Sequence, residues 1–263
     1  MNGYIDTHCH LNSELYENEN VPIDELISQA TTNEIISLVN VGTTIEDSKK
    51  VVETATVKKN IYAAIGVHPN YVLDNKISPN DIEILNELSK NKKVIAIGEI
   101  GLDYHYARSI EQRKNQLITF TKQIELSLDK KLPVIIHCRD AWSDLVNVLR
   151  KYKNKGIKGI VHCYSGDLSV AKELVQMGFY ISFSGIITFK NAVEIREVVD
   201  WCPIQNLLIE TDSPYLSPEP YRGKLNRPEY VVFVAKKIAE IKKITLDQLS
   251  LQLIDNVANI LGI

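Results

Sequence analysis

The sequence predicts an α/β protein of the (β/α)8 TIM-barrel class, a single domain over residues 1–263 with one extra C-terminal helix. Eight short runs rich in Ile and Val are typical of buried parallel strands. Their starts lie roughly 21–39 residues apart, which leaves room for a crossover helix between parallel strands. The alternative is an open, doubly wound sheet. No G-x-G-x-x-G motif follows the first run, which disfavours the dinucleotide-binding form of that sheet.

The expected elements alternate along the chain, and each helical stretch has apolar residues three or four positions apart. Strands are expected over Tyr4–Thr7, Ile35–Val41, Ile61–Val67, Val94–Glu99, Pro133–His137, Gly159–His162, Tyr180–Ser184 and Leu207–Thr211. Helices are expected over Ile23–Thr32, Glu46–Lys59, Asp81–Lys90, Glu111–Lys131, Ala141–Tyr152, Leu168–Met177, Ala192–Trp201, Pro228–Ile241 and, as the extra one, Asp247–Leu261.

The composition is that of a soluble globular protein, with 44% hydrophobic and 24% charged residues. It excludes a disordered chain, a collagen-like fibre and a coiled coil. No apolar run is long enough to span a membrane, and no secretory signal begins the chain, so we expect a cytoplasmic protein without a membrane partner. The net charge of −3 means that any nucleic-acid binding must come from a local patch.

Three of the four cysteines directly follow a histidine. The pairs are His8-Cys9, His137-Cys138 and His162-Cys163. Neighbouring side chains on a strand point to opposite faces, so cysteines lie behind a site that the histidines face. We therefore expect reduced thiols packed in the core and not a disulfide framework.

Histidines and acids collect at the carboxyl ends of the expected strands, where barrel enzymes carry their active sites. These residues are His8, His10, Glu99, His137, His162 and Asp212. Each one alone has an ordinary explanation, such as a core histidine, a helix cap or a turn. Together they predict a site for one or two divalent ions. Imidazole and carboxylate without thiolate suit Zn²⁺, Mn²⁺, Fe²⁺ or Mg²⁺, and a carboxylate such as Glu99 can bridge two ions.

Several longer motifs resemble the TatD-type metal-dependent deoxyribonucleases of the amidohydrolase superfamily. The matching motifs are Asp6-Thr7-His8-Cys9-His10, Gly66-Val67-His68-Pro69, Gly98-Glu99-Ile100-Gly101-Leu102-Asp103-Tyr104, His137-Cys138-Arg139-Asp140-Ala141, His162-Cys163-Tyr164-Ser165-Gly166, Glu210-Thr211-Asp212-Ser213-Pro214-Tyr215-Leu216 and Arg222-Gly223-Lys224 with Asn226 and Pro228. They span residues 6 to 228 in order, which is nearly the whole chain.

The resemblance implies a hydrolase of DNA phosphodiesters that acts as a 3′ exonuclease with two divalent ions. It implies that Glu99 is the ligand shared by both ions and that Asp212 also takes the proton of the attacking water. The remaining implied ligands are His8 and His10, on the side of Asp212, and His137 and His162, on the other side. The implied partner is DNA, as a single strand or a 3′ end, and we expect a monomer.

The resemblance also implies contacts with the substrate phosphate from His68 and Arg139. The alternative for His68 is a helix cap or loop hydrogen bond, and that for Arg139 is a surface ion pair with a nearby aspartate. Arg222 and His105 complete the implied contacts, although His105 equally suits a loop surface. Three tyrosines suit base stacking or, as the favoured alternative, packing. They are Tyr104, Tyr106 and Tyr164.

One departure from the family pattern concerns the Arg-Gly-Lys motif. Leu225 stands where the family has a basic residue, and Arg227 stands where it has an acid. This change bears on the local substrate contacts and leaves the metal ligands intact.

Two other functional classes remain open. Related barrels hydrolyse other esters and amides, and an aminoacyl ester on tRNA is the alternative substrate that we keep. Many of those relatives use a carboxylated lysine at the end of strand four, whereas this chain has Glu99 there and no lysine between Lys93 and Lys114. A non-catalytic scaffold would have lost ligands, and all six are present here.

Overall fold

The computed structural model describes residues 3–263, which form eight strands and ten α-helices. The strands are β1 Tyr4–Cys9, β2 Ile35–Val41, β3 Ile61–Ile65, β4 Val94–Asp103, β5 Val134–Arg139, β6 Gly159–Val161, β7 Tyr180–Phe183 and β8 Leu207–Ile209. The helices are α1 Glu14–Asn18, α2 Ile23–Thr32, α3 Ile45–Val57, α4 Pro79–Leu88, α5 Ile110–Lys130, α6 Trp142–Tyr152, α7 Leu168–Gln176, α8 Val193–Trp201, α9 Val231–Lys242 and α10 Leu246–Leu261. Among these residues, no helix combines the length and hydrophobicity needed to cross a membrane.

The strands join one sheet in chain order from β1 to β8. The pairs β1–β2, β3–β4, β4–β5, β5–β6 and β7–β8 are parallel. The last strand returns to the first, because Cys9 of β1 forms a parallel bridge with Ser213, which follows β8. The fold is therefore the expected (β/α)8 barrel with an extra C-terminal helix, and the doubly wound sheet was wrong, since such a sheet reverses its strand order.

The contacts between residues divide the chain into two compact units. The first comprises Met1–Asn40, His162–Val175 and Tyr180–Ile263, and the second comprises Val41–Val161 and Gln176–Phe179. The expectation of a single domain stays a prediction.

In the first unit, α10 forms hydrogen bonds at the beginnings of β1 and β8, two strands with predicted ligands at their ends. Ser250 on α10 donates its hydroxyl to Gly3 O at 2.7 Å and accepts from Gly3 N at 3.2 Å, just before β1. Asn256 donates its amide to Leu207 O of β8 and to Ile204 O, both at 2.7 Å. The extra C-terminal helix therefore fixes the positions of β1 and β8.

In the second unit, two buried glutamines of α5 fasten the loops after β3 and β4. Gln123 accepts from Val67 N at 2.8 Å and donates to Val67 O at 3.0 Å. Gln116 accepts from Asp103 N at 2.9 Å and donates to Pro69 O at 3.2 Å. These side chains pair backbone groups that the strand ladder leaves unpaired, and they hold the segments around His68 and Asp103.

The strand bounds differ from expectation where the site begins. β4 was expected to end at Glu99, yet its ladder with β5 continues through the pairs Gly101–His137 and Asp103–Arg139. β6 and β8 end earlier than expected, so His162 and Glu210 stand just beyond their strands. Helix α1 was missed, because one short turn capped by Ser13 has too few residues to show a helical period.

Candidate metal centres

The first cluster consists of His8, His10 and Asp212, and it lies in the first unit. Three atoms converge there. The Nε2 atoms of His8 and His10 are 3.2 Å apart, and they lie 3.8 and 3.4 Å, respectively, from Asp212 Oδ1. The ladder between the two strand ends sets this geometry, because Asp212 N donates to His8 O at 2.9 Å. The sequence-predicted ligands at the ends of β1 and β8 are thus together.

These separations fit a divalent ion. With metal–nitrogen bonds near 2.1 Å, tetrahedral ligand atoms lie about 3.4 Å apart. The three measured distances, 3.2, 3.4 and 3.8 Å, bracket that value. Two nitrogens and one oxygen are also the donor types that Zn²⁺ and Mn²⁺ accept. The residues present therefore fit the kind of ion that the sequence predicts.

His162 lies against the first cluster and is oriented by a residue that sequence reasoning missed. Its ring stacks on that of His8 with centroids 3.9 Å apart. Its Nδ1 is 3.2 Å from Glu210 Oε1, and the same oxygen accepts from Cys163 N at 2.6 Å. Glu210 is fully buried. A carboxylate that accepts the Nδ1 proton leaves the Nε2 lone pair of a histidine for a metal ion.

The Asp212 carboxyl is held in its ionised form. Burial acts to raise its pKa, but the hydrogen bond from His10 and the charges of His162, His8 and His10 outweigh it, so the pKa lies below the usual range. An ionised carboxylate is the form that binds a cation or accepts a proton. The state of Asp212 therefore suits both roles that the resemblance implies.

A second buried acid, Asp6, stands behind this cluster. Its carboxylate accepts from Thr211 N at 2.9 Å, from the Thr211 hydroxyl at 2.5 Å and from His8 N at 3.2 Å. Burial raises the pKa of Asp6 to about 8, against the effect of those hydrogen bonds. Asp6 ties the end of β8 to the end of β1, and its side chain holds the backbone of a predicted ligand.

The second cluster consists of His68, Glu99 and His137, and it lies in the second unit. Glu99 Oε1 is 3.0 Å from His137 Nδ1 and 3.3 Å from His68 Nε2. The two rings meet edge to face with centroids 4.4 Å apart. Their donor atoms all lie within 4.8 Å of one another. The structure therefore brings together Glu99 and His137, two predicted ligands, with the predicted phosphate contact His68.

The hydrogen bonding of His68 argues against its being a metal ligand. Its Nδ1 accepts the amide proton of Asn70 at 3.1 Å, as the cap of the 3-10 helix Pro69–Val72. An imidazole whose Nδ1 accepts a proton carries its own proton on Nε2. His68 therefore acts as a donor toward Glu99. The alternative of a helix cap is present at Nδ1, while Nε2 contacts Glu99 Oε1 at 3.3 Å, and the phosphate contact of His68 stays a prediction.

Asp103 orients His137 and was not singled out from the sequence for this role. Its Oδ2 lies 3.2 Å from His137 Nε2, while His137 Nδ1 faces Glu99. Asp103 also accepts from the backbone amides of His105 and Tyr106, at 3.0 and 3.3 Å. Burial acts to raise the pKa of Asp103, but the hydrogen bond and charge of His137 hold it below its usual value. Asp103 thus orients the ring of His137, as Glu210 orients the ring of His162.

Arg139 and His105 lie at the carboxyl end of β5 and in the loop after β4. The Arg139 guanidinium stands 5.8 Å from the centre of the Tyr106 ring and makes no ion pair with Asp140 or Asp144. The ion-pair alternative for Arg139 therefore lacks its partners. His105 is 45% exposed, and its Nδ1 is 3.6 Å from Asp140 Oδ2. Both proposed substrate contacts are exposed, and their roles stay predictions.

Two of the candidate stacking tyrosines have their hydroxyls engaged. Tyr164 is buried and donates to Asp167 O at 2.6 Å. Tyr104 donates to Asp144 at 2.6 Å, and Arg113 covers its ring at 4.5 Å. Both side chains are thus structural, in line with the favoured alternative. Tyr106, beside Arg139, is the exposed one of the three.

The departure in the Arg-Gly-Lys motif has a structural explanation. Arg227 binds Glu25 of α2, with NH1 and Oε1 2.9 Å apart. It is therefore committed to an ion pair within the first unit. Arg222, the predicted substrate contact, is exposed and lies over the ring of Phe189 at 4.3 Å. The substrate contact of Arg222 stays a prediction.

Two of the three cysteines that follow a histidine are buried, as the alternation of side chains predicts, whereas Cys163 is half-buried because it lies beyond the end of β6. No disulfide joins the four, all of which the structure describes. Cys9 and Cys138 are buried, and burial raises the pKa of both thiols. Cys9 donates to Val39 O of β2 at 3.4 Å. Thiols in this state are packing groups, and they leave the candidate ligand set to nitrogen and oxygen.

Comparison with known sequences identifies similar proteins along nearly the whole chain. The sequence pattern of the family described as TatD related DNase matches residues 5–262. The chain is 42% identical over 246 residues to the metal-dependent hydrolase YabD of Bacillus subtilis, a match that covers 94% of each protein. It is 36% identical over 259 residues to the metal-dependent hydrolase YcfH of Escherichia coli, which covers 98% of this chain and 96% of that protein.

Comparison with solved structures gives the same result for the fold. The crystal structure of YjjV, a TatD homologue from Escherichia coli, matches with a TM-score of 0.90 at 29% sequence identity. The match covers 99% of this chain and 98% of that one. The barrel expected from the eight apolar runs is thus confirmed.

Proposed function

The chain belongs to the TatD-related DNase family and is a metal-dependent hydrolase, and on that premise we propose that it cleaves phosphodiester bonds in DNA. The proposed substrate is a single strand or a 3′ end that is shortened by successive hydrolysis. The observation that carries the proposal is the pair of clusters. Each one offers nitrogen and oxygen donors suited to a divalent cation, and neither contains a thiolate.

We assign two divalent ions to these residues. His8, His10 and Asp212 would hold one ion, Glu99 and His137 would hold another, and His162 would be a further ligand. Bound Zn²⁺, Mn²⁺ or Mg²⁺ would polarise a phosphoryl oxygen and lower the pKa of a water molecule. The bridging role of Glu99 involves residues of both units and stays a prediction.

The side chains of the protein have separate tasks in this proposal. Asp212 is ionised and accepts the proton of the attacking water. His68 would donate its Nε2 hydrogen, which faces Glu99 in the free protein, to a phosphate oxygen once Glu99 binds a metal ion. Arg139 presents a planar guanidinium that is not engaged by its acidic neighbours and that matches two phosphate oxygens.

The test is cleavage of a 5′-labelled single-stranded oligonucleotide. The protein is stripped with a chelator, and Mg²⁺, Mn²⁺ or Zn²⁺ is restored one at a time. We expect a ladder that shortens from the 3′ end with a metal ion and no cleavage without one. Glu99→Gln should abolish the ladder while keeping the wild-type melting temperature, because an amide no longer supplies the negative oxygen.

The matched control is Glu87→Gln, which changes a surface carboxylate paired with Lys90. It should cleave like the wild type. Aminoacyl-tRNA is assayed in parallel. Release of free amino acid, with no shortening of DNA under any metal, would contradict the proposed substrate and leave the hydrolase and its ligands in place.

A further inference from the structure

Three aromatic rings of the first unit form a stacked group outside both metal clusters. Tyr221 and Tyr230 lie parallel, with centroids 4.2 Å apart and planes 5° from each other. Phe233, in the first turn of α9, meets them edge-on at 5.4 and 6.1 Å. All three side chains are half-buried. The rings are therefore fixed by one another and still reach the surface.

Three exposed cations lie over aromatic rings in the same region. Lys224 stands 5.8 Å from the centre of Tyr221, and Lys236 stands 5.1 Å from the centre of Phe233. Arg222 lies 4.3 Å from the centre of Phe189. We call Tyr221, Tyr230, Phe233, Arg222, Lys224 and Lys236 the aromatic–basic surface.

The charges of this surface have no carboxylate partners among residues 3–263. Ion pairs are present close by, as Lys237 binds Glu240 at 2.9 Å and Arg227 binds Glu25 at 2.9 Å. None is formed by the three cations of the aromatic–basic surface. Their positive charge is therefore not neutralised by a carboxylate, and each cation lies over the face of an aromatic ring.

The surface is attached to the strand end that carries Asp212. Asn226, two residues after Lys224, donates to Thr211 O at 2.8 Å and to Tyr215 O at 2.5 Å. Tyr16 donates its hydroxyl to Asn226 O at 2.7 Å. The segment that bears Arg222 and Lys224 is thus fastened to the residue directly before Asp212, within the first unit.

Aromatic rings combined with unpaired cations recognise single-stranded nucleic acid. Bases stack on rings and phosphates bind cations, and neither contact requires a particular sequence. We infer that the aromatic–basic surface binds the part of a single-stranded nucleic acid that extends away from the bond to be cleaved. The inference rests on the proposed function and names the surface that holds its substrate. It also explains how a chain of net charge −3 binds a polyanion.

The test separates strand binding from hydrolysis. The double variant Lys224→Gln with Lys236→Gln removes two exposed charges and leaves the rings in place. Binding is measured by fluorescence anisotropy with the metal-loaded full chain and a labelled oligonucleotide whose 3′ linkages are phosphorothioates. We expect the affinity of the double variant for the oligonucleotide to fall about tenfold at physiological salt. The plot of log association constant against log salt concentration should also become less steep by about 1.4, since each lost phosphate contact removes about 0.7 from the slope for a single strand.

The matched control is Lys49→Gln with Lys90→Gln, which changes the net charge equally but removes lysines paired with Glu46 and Glu87. It should bind the oligonucleotide like the wild type. Hydrolysis of bis(p-nitrophenyl) phosphate, which has no strand extending beyond the cleaved bond, should be the same in all three proteins. Equal oligonucleotide affinity in the two double variants would overturn the inference.

Failure of the proposed function gives a different result. If the wild type cleaves neither the oligonucleotide nor the small diester, the nuclease proposal fails, while the difference in binding still decides the role of the surface. If the wild type cleaves the small diester but binds vesicles of anionic lipid and not the oligonucleotide, the surface serves a membrane and the inference is wrong.

Discussion

Glu210 and Asp103 each hold the ring of a predicted ligand histidine through one of its two nitrogens. The contact of Glu210 with His162 spans 48 positions of sequence, and that of Asp103 with His137 spans 34. Both acids stand within motifs that the sequence analysis quoted. Nothing local in those motifs shows which histidine each acid would meet, because the pairing depends on which strand ends the fold brings together. The candidate ligands could be proposed from their positions after apolar runs, whereas the residues that orient them could not.

The first prediction concerns Glu210. Glu210→Ala should weaken metal binding about 10- to 100-fold, because the His162 ring loses the partner that fixes its orientation. Glu210→Gln should recover most of the affinity, since its amide oxygen still accepts from His162 Nδ1 and Cys163 N. Isothermal titration with Zn²⁺ measures the affinity. The visible spectrum of the Co²⁺-loaded protein reports the ligand geometry.

An effect of the alanine substitution on folding alone would lower the melting temperature of the metal-free protein and leave the Co²⁺ spectrum unchanged. Wild-type affinity and spectrum in Glu210→Ala would contradict the positioning role.

The second prediction concerns the pH dependence of stability at Glu229. Burial raises the pKa of this carboxyl above 4.5, outweighing its backbone hydrogen bond and the charge of Arg227. One of its oxygens is buried without a hydrogen-bond partner. An acid whose pKa rises on folding stabilises the fold fully below the unfolded value, and this stabilisation is lost as the pH rises through the folded value. The wild type should therefore lose stability relative to Glu229→Gln as the pH rises above 4.5.

The measurement is urea unfolding of both proteins in steps from pH 4 to pH 8. The variant should gain stability over the wild type progressively across this range, because only the wild type must ionise a buried carboxyl. Glu194→Gln, at an exposed position of α8, is the control. A difference between wild type and Glu229→Gln that stays constant with pH would refute the assignment.

At the scale of elements, the periodicity of apolar residues predicted every strand and nine of the ten helices. A parallel strand is buried on both sides and therefore needs a continuous apolar run. A helix that covers a sheet needs one apolar face, so both kinds of element leave a recognisable pattern of apolar residues in the sequence. The buried side-chain hydrogen bonds that hold the loops could not be predicted in the same way. Gln116 and Gln123 lie on the buried face of α5. They donate to the carbonyls of Pro69 and Val67, respectively, which are more than forty residues away in the sequence.

The third prediction concerns the attachment of α10. Asn256→Ala should lower the free energy of unfolding by about 2–3 kcal/mol, because it leaves the carbonyls of Ile204 and Leu207 without their donor. Asn259→Ala, on the exposed face of the same helix, is the control and should change stability by less than about 0.5 kcal/mol. Chemical denaturation measures both. Equal stabilities of the two variants would show that α10 is held by its apolar face alone.

At the scale of the molecule, the fold class and the site follow from the same observation. A (β/α)8 barrel carries its functional groups at the carboxyl ends of its strands. Five of the six predicted ligands stand close to the carboxyl ends of β1, β5, β6 and β8, where they were expected, whereas Glu99 lies within β4, which continues to Asp103. The order of strands and the return of β8 to β1 depend on long-range pairing, and the similarity to YjjV supports the same barrel independently.

The most direct test of the account is a metal titration of the chelator-stripped protein, with bound ions counted by elemental analysis and DNA cleavage measured at each point. Our assignment predicts two tightly bound ions per chain in the wild type. His10→Ala and His137→Ala should each retain one tight ion and lose cleavage, because each substitution removes a ligand from a different cluster. A wild type that cleaves DNA fully with no tightly bound ion, or that keeps two ions in both variants, would contradict the assignment.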